Sequence, residues 1–316
     1  MRRKKIAVID LGTNTFHILV TIVSETEVET VYREKCSVKI GEGGISEGLI
    51  SEEAQIRALN TLNYFKELIE KEKVEEVFAT ATSAIRTAKN GQDLVQKIKQ
   101  ATNIDVRIIS GEEEAKYIFD AVRKAVNIGS EKSLIMDIGG GSVEFVICDE
   151  NKIFWKHSFE IGAQRLLDLF HYHDPILDQE IQNLEQYLSE KLQTLIRAVE
   201  ELGPKTLIGS SGSFDTLSDI YRIKYGIEKI DANTEQPFAL ESYNQIHGEI
   251  IQKHREDRMK IPGMIEMRVD MIVVACILIK FVITHCKLDR IRVSSESLKE
   301  GVLYNIVKSL RNTQNF

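Results

Sequence analysis

The sequence predicts an α/β protein of two similar domains, and three observations point there. At 316 residues the chain is long enough for two domains. Short apolar runs of strand composition alternate along it with stretches of helical period. One strand–loop–strand segment occurs twice. The first copy, residues 6–20, reads I-A-V-I-D-L-G-T-N-T-F-H-I-L-V, and the second, residues 133–148, reads S-L-I-M-D-I-G-G-G-S-V-E-F-V-I-C. Each has an apolar strand, an aspartate, a glycine two residues on, a hydroxyl residue five residues on, and a second apolar strand. Asp10, Gly12 and Thr15 thus correspond to Asp137, Gly139 and Ser142. The offset of 127 residues is the size of a domain, not of a solenoid repeat.

The glycine row at 139–141 has two readings. Glycines permit tight turns between strands. A run of bare backbone N–H groups also cradles a phosphate, and Asp137 and Glu144, flanking the row, suit a divalent cation held against it. Its duplication near the N-terminus favours the second reading, with one phosphate loop offered by each domain and a phosphate chain gripped in the cleft between them.

Composition narrows the function classes. An apolar fraction of 43% supports packed cores and argues against extended disorder. A net charge of −7 leaves no global basic surface for nucleic acid, so a polyanionic substrate needs a local lining. Arg2, Arg3, Lys4 and Lys5 lead straight into a strand, which is not a secretory pattern. The most apolar run, 271–284, is interrupted by Lys280 and is too short to span a bilayer; it reads as a buried helix. Four scattered cysteines without C-x-x-C spacing read as reduced core residues of a cytoplasmic protein.

In chain order, strands are expected at 6–11, 16–23 and 28–40, giving a meander. Glycines 41, 43, 44 and 48 mark a loop, and Ser51 caps a helix with apolar residues at 59, 62, 65 and 69. The strand at 74–79 runs into T-A-T-S-A-I-R, a pattern that sets small hydroxyl residues and an arginine at a strand's C-terminal end; Arg86 there suits bidentate phosphate contact. A helix at 93–101 and a strand at 106–109 follow. Ser110 and Glu113 have capping-box spacing for a helix to about 127. Glu112, Glu113 and Glu114 all lie in its first turn, where acids complement the helix dipole and where a general base facing a phosphate cleft is equally at home; spacing does not choose among them. The polar stretch 127–132 is the expected hinge.

The second domain repeats the order, with strands at 134–136, 143–148 and 153–159. His171, His173 and Asp174 have metal-like spacing but no further ligands beside them, so they read as a polar loop. One long helix is expected at 177–199, then a strand at 206–208 opening into G-S-S-G-S, a third phosphate-suited turn. A polar loop at 228–238, helices at 241–256 and 265–285, a strand at 291–294 and a helix at 297–310 complete the chain.

Seven segments together resemble the exopolyphosphatase / guanosine pentaphosphate phosphatase family of the actin-like ATPase superfamily. They are I-D-L-G-T-N-T-F-H (9–17), A-T-S-A-I-R (81–86), I-I-S-G-E-E-E-A (108–115), D-I-G-G-G-S-V-E (137–144), G-S-S-G-S (209–213), R-V-D-M-I (268–272) and V-S-S-E-S-L-K-E-G (293–301). The first of these has threonine where serine is more usual, and Ser297 stands where the family commonly has glycine. The resemblance implies two actin-like (ribonuclease H-like) domains, mixed sheets flanked by helices, with the active site in the interdomain cleft. The first domain would be 1–127, joined by the C-terminal helix 297–316, and the second 128–296.

The activity implied is hydrolysis of the terminal phosphoanhydride of inorganic polyphosphate. Guanosine pentaphosphate 5′-phosphohydrolysis is the near alternative, a related kinase or ATPase a further one, and a non-catalytic polyphosphate or alarmone sensor the alternative of another class. On this resemblance Glu114 is the catalytic base. Arg86 binds a phosphate oxygen. Gly12, Thr13, Asn14, Thr15, Gly139, Gly140, Gly141, Ser142, Ser83, Gly212 and Ser213 bind phosphate. Asp137, Glu144 and Asp10 hold magnesium or manganese. The expected partner is the phosphate substrate, with no nucleic acid and no membrane, and a homodimer is allowed.

Overall fold

The structure, a computed structural model, describes residues 3–229 and 234–313. The chain forms two compact units, 1–117 with 298–316, and 118–297.

In the first unit β1 (Lys4–Leu11), β2 (Thr15–Val23) and β3 (Val28–Ser37) form an antiparallel meander. Helix α1 (Glu52–Lys71) follows, capped by Ser51 Oγ on the Ala54 amide at 3.2 Å. Then come β4 (Glu76–Ala81), α2 (Ser83–Thr87), α3 (Gly91–Thr102), β5 (Val106–Ile108) and α4 (Gly111–Ala125). The sheet order is β3-β2-β1-β4-β5, with β1, β4 and β5 parallel. Ala7, Ile9 and Leu11 face the core shared with Ala54, Ala58, Leu62 and Phe65 of α1. Ile6 and Val8 on the other face are equally buried, so β1 reads as a continuous apolar run, as a central strand covered on both faces must. The C-terminal helix α12 (Leu298–Thr313) packs on β1 and β2.

The second unit repeats the plan. Strands β6 (Ser133–Ile138), β7 (Val143–Cys148) and β8 (Ile153–Phe159) form its meander. Helices α5 (Ala163–Phe170), α6 (Asp178–Lys191) and α7 (Gln193–Leu202) precede β9 (Thr206–Ser210) and α8 (Gly212–Lys224). The remainder is β10 (Glu235–Gln236), α9 (Leu240–Gln252), α10 (Arg255–Arg258), α11 (Met271–His285) and β11 (Arg290–Ser294). The sheet order is β10-β11-β9-β6-β7-β8. Setting β10 aside, this is the first sheet's order with β6, β7, β8, β9 and β11 in the places of β1 to β5, so the duplication seen at one loop extends to the whole topology. Helix α11 is apolar all round and almost wholly buried, as the sequence predicts for 271–284.

Five expectations need correction. Strand β3 ends at Ser37, because Lys39 turns the chain at φ 50°. The helix expected at 177–199 is two, broken at Leu192 (φ −96°, ψ 15°); Leu188, Leu192 and Leu195 keep their apolar spacing through the break, so periodicity cannot reveal it. The helix expected at 265–285 starts at Met271, because residues 266–270 form turns, with the Arg268 and Val269 amides both on Ile265 O. The polar loop at 228–238 contains β10, and its residues 230–233 lie outside those described. The chain passes between units within α4, between Tyr117 and Ile118, rather than in the stretch 127–132.

Candidate active site

The two echoed loops have the same construction. Leu11 pairs with Phe16 and Ile138 with Val143, so each hairpin closes over four residues. Gly12 N donates to Thr15 O at 3.1 Å, and Gly139 N to Ser142 O at 3.0 Å. A Cβ on Gly12 would lie 2.9 Å from Thr15 O, and one on Gly139 3.0 Å from Ser142 O, so both turns call for glycine.

In both loops the carbonyls are taken from behind. Thr13 O accepts from Gly41 N, and Asn14 O from Val38 N and Lys39 N, all at 2.9–3.1 Å. In the second loop Gly139 O, Gly140 O and Gly141 O accept from Ala163, Gln164 and Gly162 N, at 2.9, 2.9 and 3.0 Å. These donors are the first amides of α5, and Arg165 Nε adds a bond to Gly141 O at 2.9 Å. A trans peptide sets its N–H opposite its C=O. Fixing the carbonyls therefore turns the amides of Asn14 and Thr15, and of Gly140, Gly141 and Ser142, to the opposite side, as an anion cradle requires. A Cβ on Gly162 would overlap the Gly140 and Gly141 backbone, so α5 seats only through a glycine.

Asp137 and Glu144 are direct cross-strand partners on β6 and β7. Directly opposed residues share a sheet face, and like charges so placed destabilise a sheet. Here both are buried, at 4% and 1% exposure. Ser210 Oγ and Ser211 Oγ donate to Asp137 Oδ2 and Oδ1, each at 2.7 Å, and Ser158 Oγ donates to Glu144 Oε1 at 2.6 Å. Two buried acids facing each other with hydroxyl support are hard oxygen donors, a set that fits magnesium or manganese, which take one or two carboxylates and fill the rest with water and phosphate. Among the described residues no group of three or more His, Cys, Asp or Glu side chains is placed to hold a metal by itself. Asp10, the third expected ligand, occupies in the first unit the place of Asp137 in the second; its cross-strand partner is His17, whose Nε2 lies 3.1 Å from Thr15 Oγ1.

The turn after β9 sets Gly212 and Ser213 at the start of α8. Gly212 lies against the guanidinium of Arg268, where any side chain would collide. Arg268 is 8% exposed and its Nε has no hydrogen-bond partner; Ser213 Oγ, also buried, has none either. Burial lowers the Arg268 pKa, against the pull of the Asp215 and Asp137 charges. A buried arginine arm and a buried hydroxyl without acceptors fit an anion at this turn.

Around the catalytic candidate the structure separates what spacing could not. Glu113 closes the capping box: its amide donates to Ser110 Oγ at 3.2 Å, its carboxylate accepts from Ser110 N at 3.1 Å, and it pairs with Arg107. Glu112 is exposed. Glu114 is 6% exposed and accepts Arg86 Nη1 at 2.7 Å. Arg86 Nη1 also donates to Ile109 O at 3.3 Å. The turn before α2 is tied to the end of β1 by Thr82 N on Leu11 O at 3.3 Å, which brings Ser83, Arg86 and the Gly12–Thr15 loop together. Ser83 is buried at the start of α2. Sequence reasoning missed Ser158, Ser210, Ser211, Arg165 and Arg268. Ser210, Ser211 and Arg268 stand in quoted motifs, and the signal for Ser158 and Arg165 is the pairing of strands and loops, visible only once the fold is formed.

Two repeats of one mixed sheet, each opening a glycine loop after its first strand, define an actin-like, ribonuclease H-like protein with phosphate-type loops. The chain belongs to the Ppx/GppA phosphatase family, whose sequence pattern matches residues 19–310. It is 44% identical to a crystal structure of an exopolyphosphatase from Cytophaga hutchinsonii, with a TM-score of 0.92 over 97% of this chain and 98% of that one. An Aquifex aeolicus member of the Ppx/GppA family shares the fold at 22% identity, with a TM-score of 0.77 and 99% of each chain covered. A Haemophilus influenzae protein provisionally named an exopolyphosphatase is 27% identical over 308 residues, 98% of this chain and 93% of that one. Among the described residues no helix is long and apolar enough to cross a membrane.

Proposed function

We propose that the protein is an exopolyphosphatase that hydrolyses the terminal phosphoanhydride of inorganic polyphosphate and releases orthophosphate. The observation that carries this reading is the presence of two anion cradles of one design in a single chain. A phosphomonoester needs one cradle, whereas a row of phosphoryl groups gives each a ligand. The 44% identity to the Cytophaga hutchinsonii exopolyphosphatase supports the same substrate class.

In this reading the amides of Gly140, Gly141 and Ser142, and of Asn14 and Thr15, hold phosphate oxygens, with the Thr15 and Ser142 hydroxyls beside them. Glu114 accepts the proton of the attacking water at its carboxylate. Arg86, which already holds Glu114 Oε2, carries the guanidinium that orients a phosphate oxygen next to that water. The water oxygen bonds to the terminal phosphorus as the bridging P–O bond breaks, and the shortened chain leaves with its own negative oxygen. Asp137 and Glu144, with Asp10 as the first unit's counterpart, are the residues that would hold magnesium or manganese, which supplies charge neutralisation on the phosphate oxygens. Positioning and electrostatics supply most of the catalysis in such a reaction.

A side-by-side phosphate-release assay on long polyphosphate, short polyphosphate, guanosine pentaphosphate and ATP tests this. Polyphosphate is expected to turn over fastest, with release abolished by excess EDTA and restored by magnesium or manganese. Much faster turnover of guanosine pentaphosphate would make the protein an alarmone phosphohydrolase. No release from any of the four would leave a binding protein.

A further inference from the structure

We propose that Ser211 is a positioning residue, held in a strained backbone conformation so that its hydroxyl fixes the carboxylate of Asp137. The inference rests on the hydrolytic reading of the site. Ser211 sits at φ 75°, ψ 174°, a region that only glycine occupies without strain. Glycine stands next to it at 212, so the turn has a glycine one position away from where the backbone would favour one.

The plain structural explanation is an N-cap. Ser211 occupies the N-cap of α8, a 13-residue helix, where a serine hydroxyl ordinarily accepts from an amide of the first turn. It makes no such bond. Its Oγ donates instead to Asp137 Oδ1 at 2.7 Å. Ser210 Oγ donates to Oδ2 at the same distance from an unstrained strand position. The two hydroxyls grip the carboxylate at both oxygens and fix its plane. Of the two bonds, only that of Ser211 requires the unfavourable backbone.

Four proteins test the proposal: wild type, Ser211→Thr, Ser211→Ala and Ser211→Gly. Threonine keeps the hydroxyl and worsens the strain. Alanine loses the hydroxyl and keeps the strain. Glycine loses the hydroxyl and relieves the strain. Activity and stability should therefore rank differently. On polyphosphate, kcat should fall about 10-fold or more in the Ala and Gly variants with KM little changed, and Ser211→Thr should stay within about threefold of wild type. The thermal midpoint of Ser211→Gly should lie above that of Ser211→Ala by about 2–6 °C, with Ser211→Thr below wild type. A structural role alone would make kcat follow the midpoints. Wild-type kcat in Ser211→Gly, or kcat values that rank as the midpoints do, would overturn the proposal. If wild type releases no phosphate from any substrate, the hydrolytic reading alone fails. Ser211 is then judged by manganese titration calorimetry, where affinity should drop in the Ala and Gly variants and persist in Thr; equal affinity in all four overturns it.

Discussion

At the scale of single residues, burial and partnership divide three neighbouring acids that local sequence treats alike. Glu113 is occupied by the helix cap and Arg107, Glu112 is exposed, and Glu114 is buried against Arg86. Glu114→Gln keeps size and hydrogen-bonding capacity but removes basicity, so kcat on polyphosphate should fall by ~10²–10⁴ while equilibrium binding of the chain survives. Glu113→Ala should instead cost about 1 kcal/mol of stability through the cap and leave kcat near wild type. Steady-state kinetics with urea unfolding of both variants separates the two roles, and near-normal turnover of Glu114→Gln would falsify the assignment. Legibility at this scale was uneven for a physical reason. Asp10, Asp137 and Glu144 announce themselves as charges inside apolar runs. Arg268 alternates with apolar residues and two other charges, Glu266 and Asp270, and nothing local marks it as the one that will be buried beside Gly212.

At the scale of elements, each of the two echoed glycine loops is braced by the segment that follows its meander. In the second unit the brace is the start of α5 with Arg165 on Gly141 O. In the first it is the turn after β3, and an arginine recurs there: Arg57 of α1 donates from Nε to Val38 O and from Nη2 to Lys39 O, both at 2.8 Å. That arginine steadies the positive-φ turn whose amides hold Asn14 O. Arg165→Ala should loosen the second loop and raise KM for polyphosphate several-fold, more than it lowers kcat. Gly162→Ala, which drives a methyl into the Gly140 and Gly141 backbone, should cost about 1–3 kcal/mol and depress kcat/KM further. Unchanged KM in Arg165→Ala, measured with the denaturation midpoint of the same variant, would remove the brace from substrate binding. The strands and most helices were legible because alternation and helical spacing report which face is buried. The break at Leu192 and the late start of α11 were not, since a change of direction leaves apolar spacing intact and the turns at 266–270 delay the helix without altering the pattern beyond them.

At the scale of the whole molecule, acid should act through the second unit. Burial, with the nearby Lys280 charge, holds the His247 imidazole down at about 4 against an ordinary 6.5. The folded state then binds fewer protons than the unfolded one between those values. This group's contribution is complete above pH 6.5, declines as pH falls, and is lost by pH 4. Glu249, held low by its bond from Lys253 and by Lys224, continues the loss on further acidification. So does Asp174, which the Arg255 amide and Arg258 hold low against the opposing effect of burial. Thermal midpoints recorded from pH 8 to pH 4 should fall below 6.5, and His247→Leu should flatten the upper part of that decline. An identical pH profile in the variant would place the sensitivity elsewhere.

The first unit is assembled from both ends of the chain, residues 1–117 and 298–316, with the second unit lying wholly between them. During synthesis on the ribosome, β1 and β2 appear at once, yet α12, the helix that covers them, is made only after the entire second unit. The second unit, contiguous in sequence, meets no such delay and can complete its core while the first still waits with an uncovered sheet face. Vectorial synthesis thus gives the two copies of one fold different folding histories: the half bearing Arg86 and Glu114 matures after the half made in one stretch.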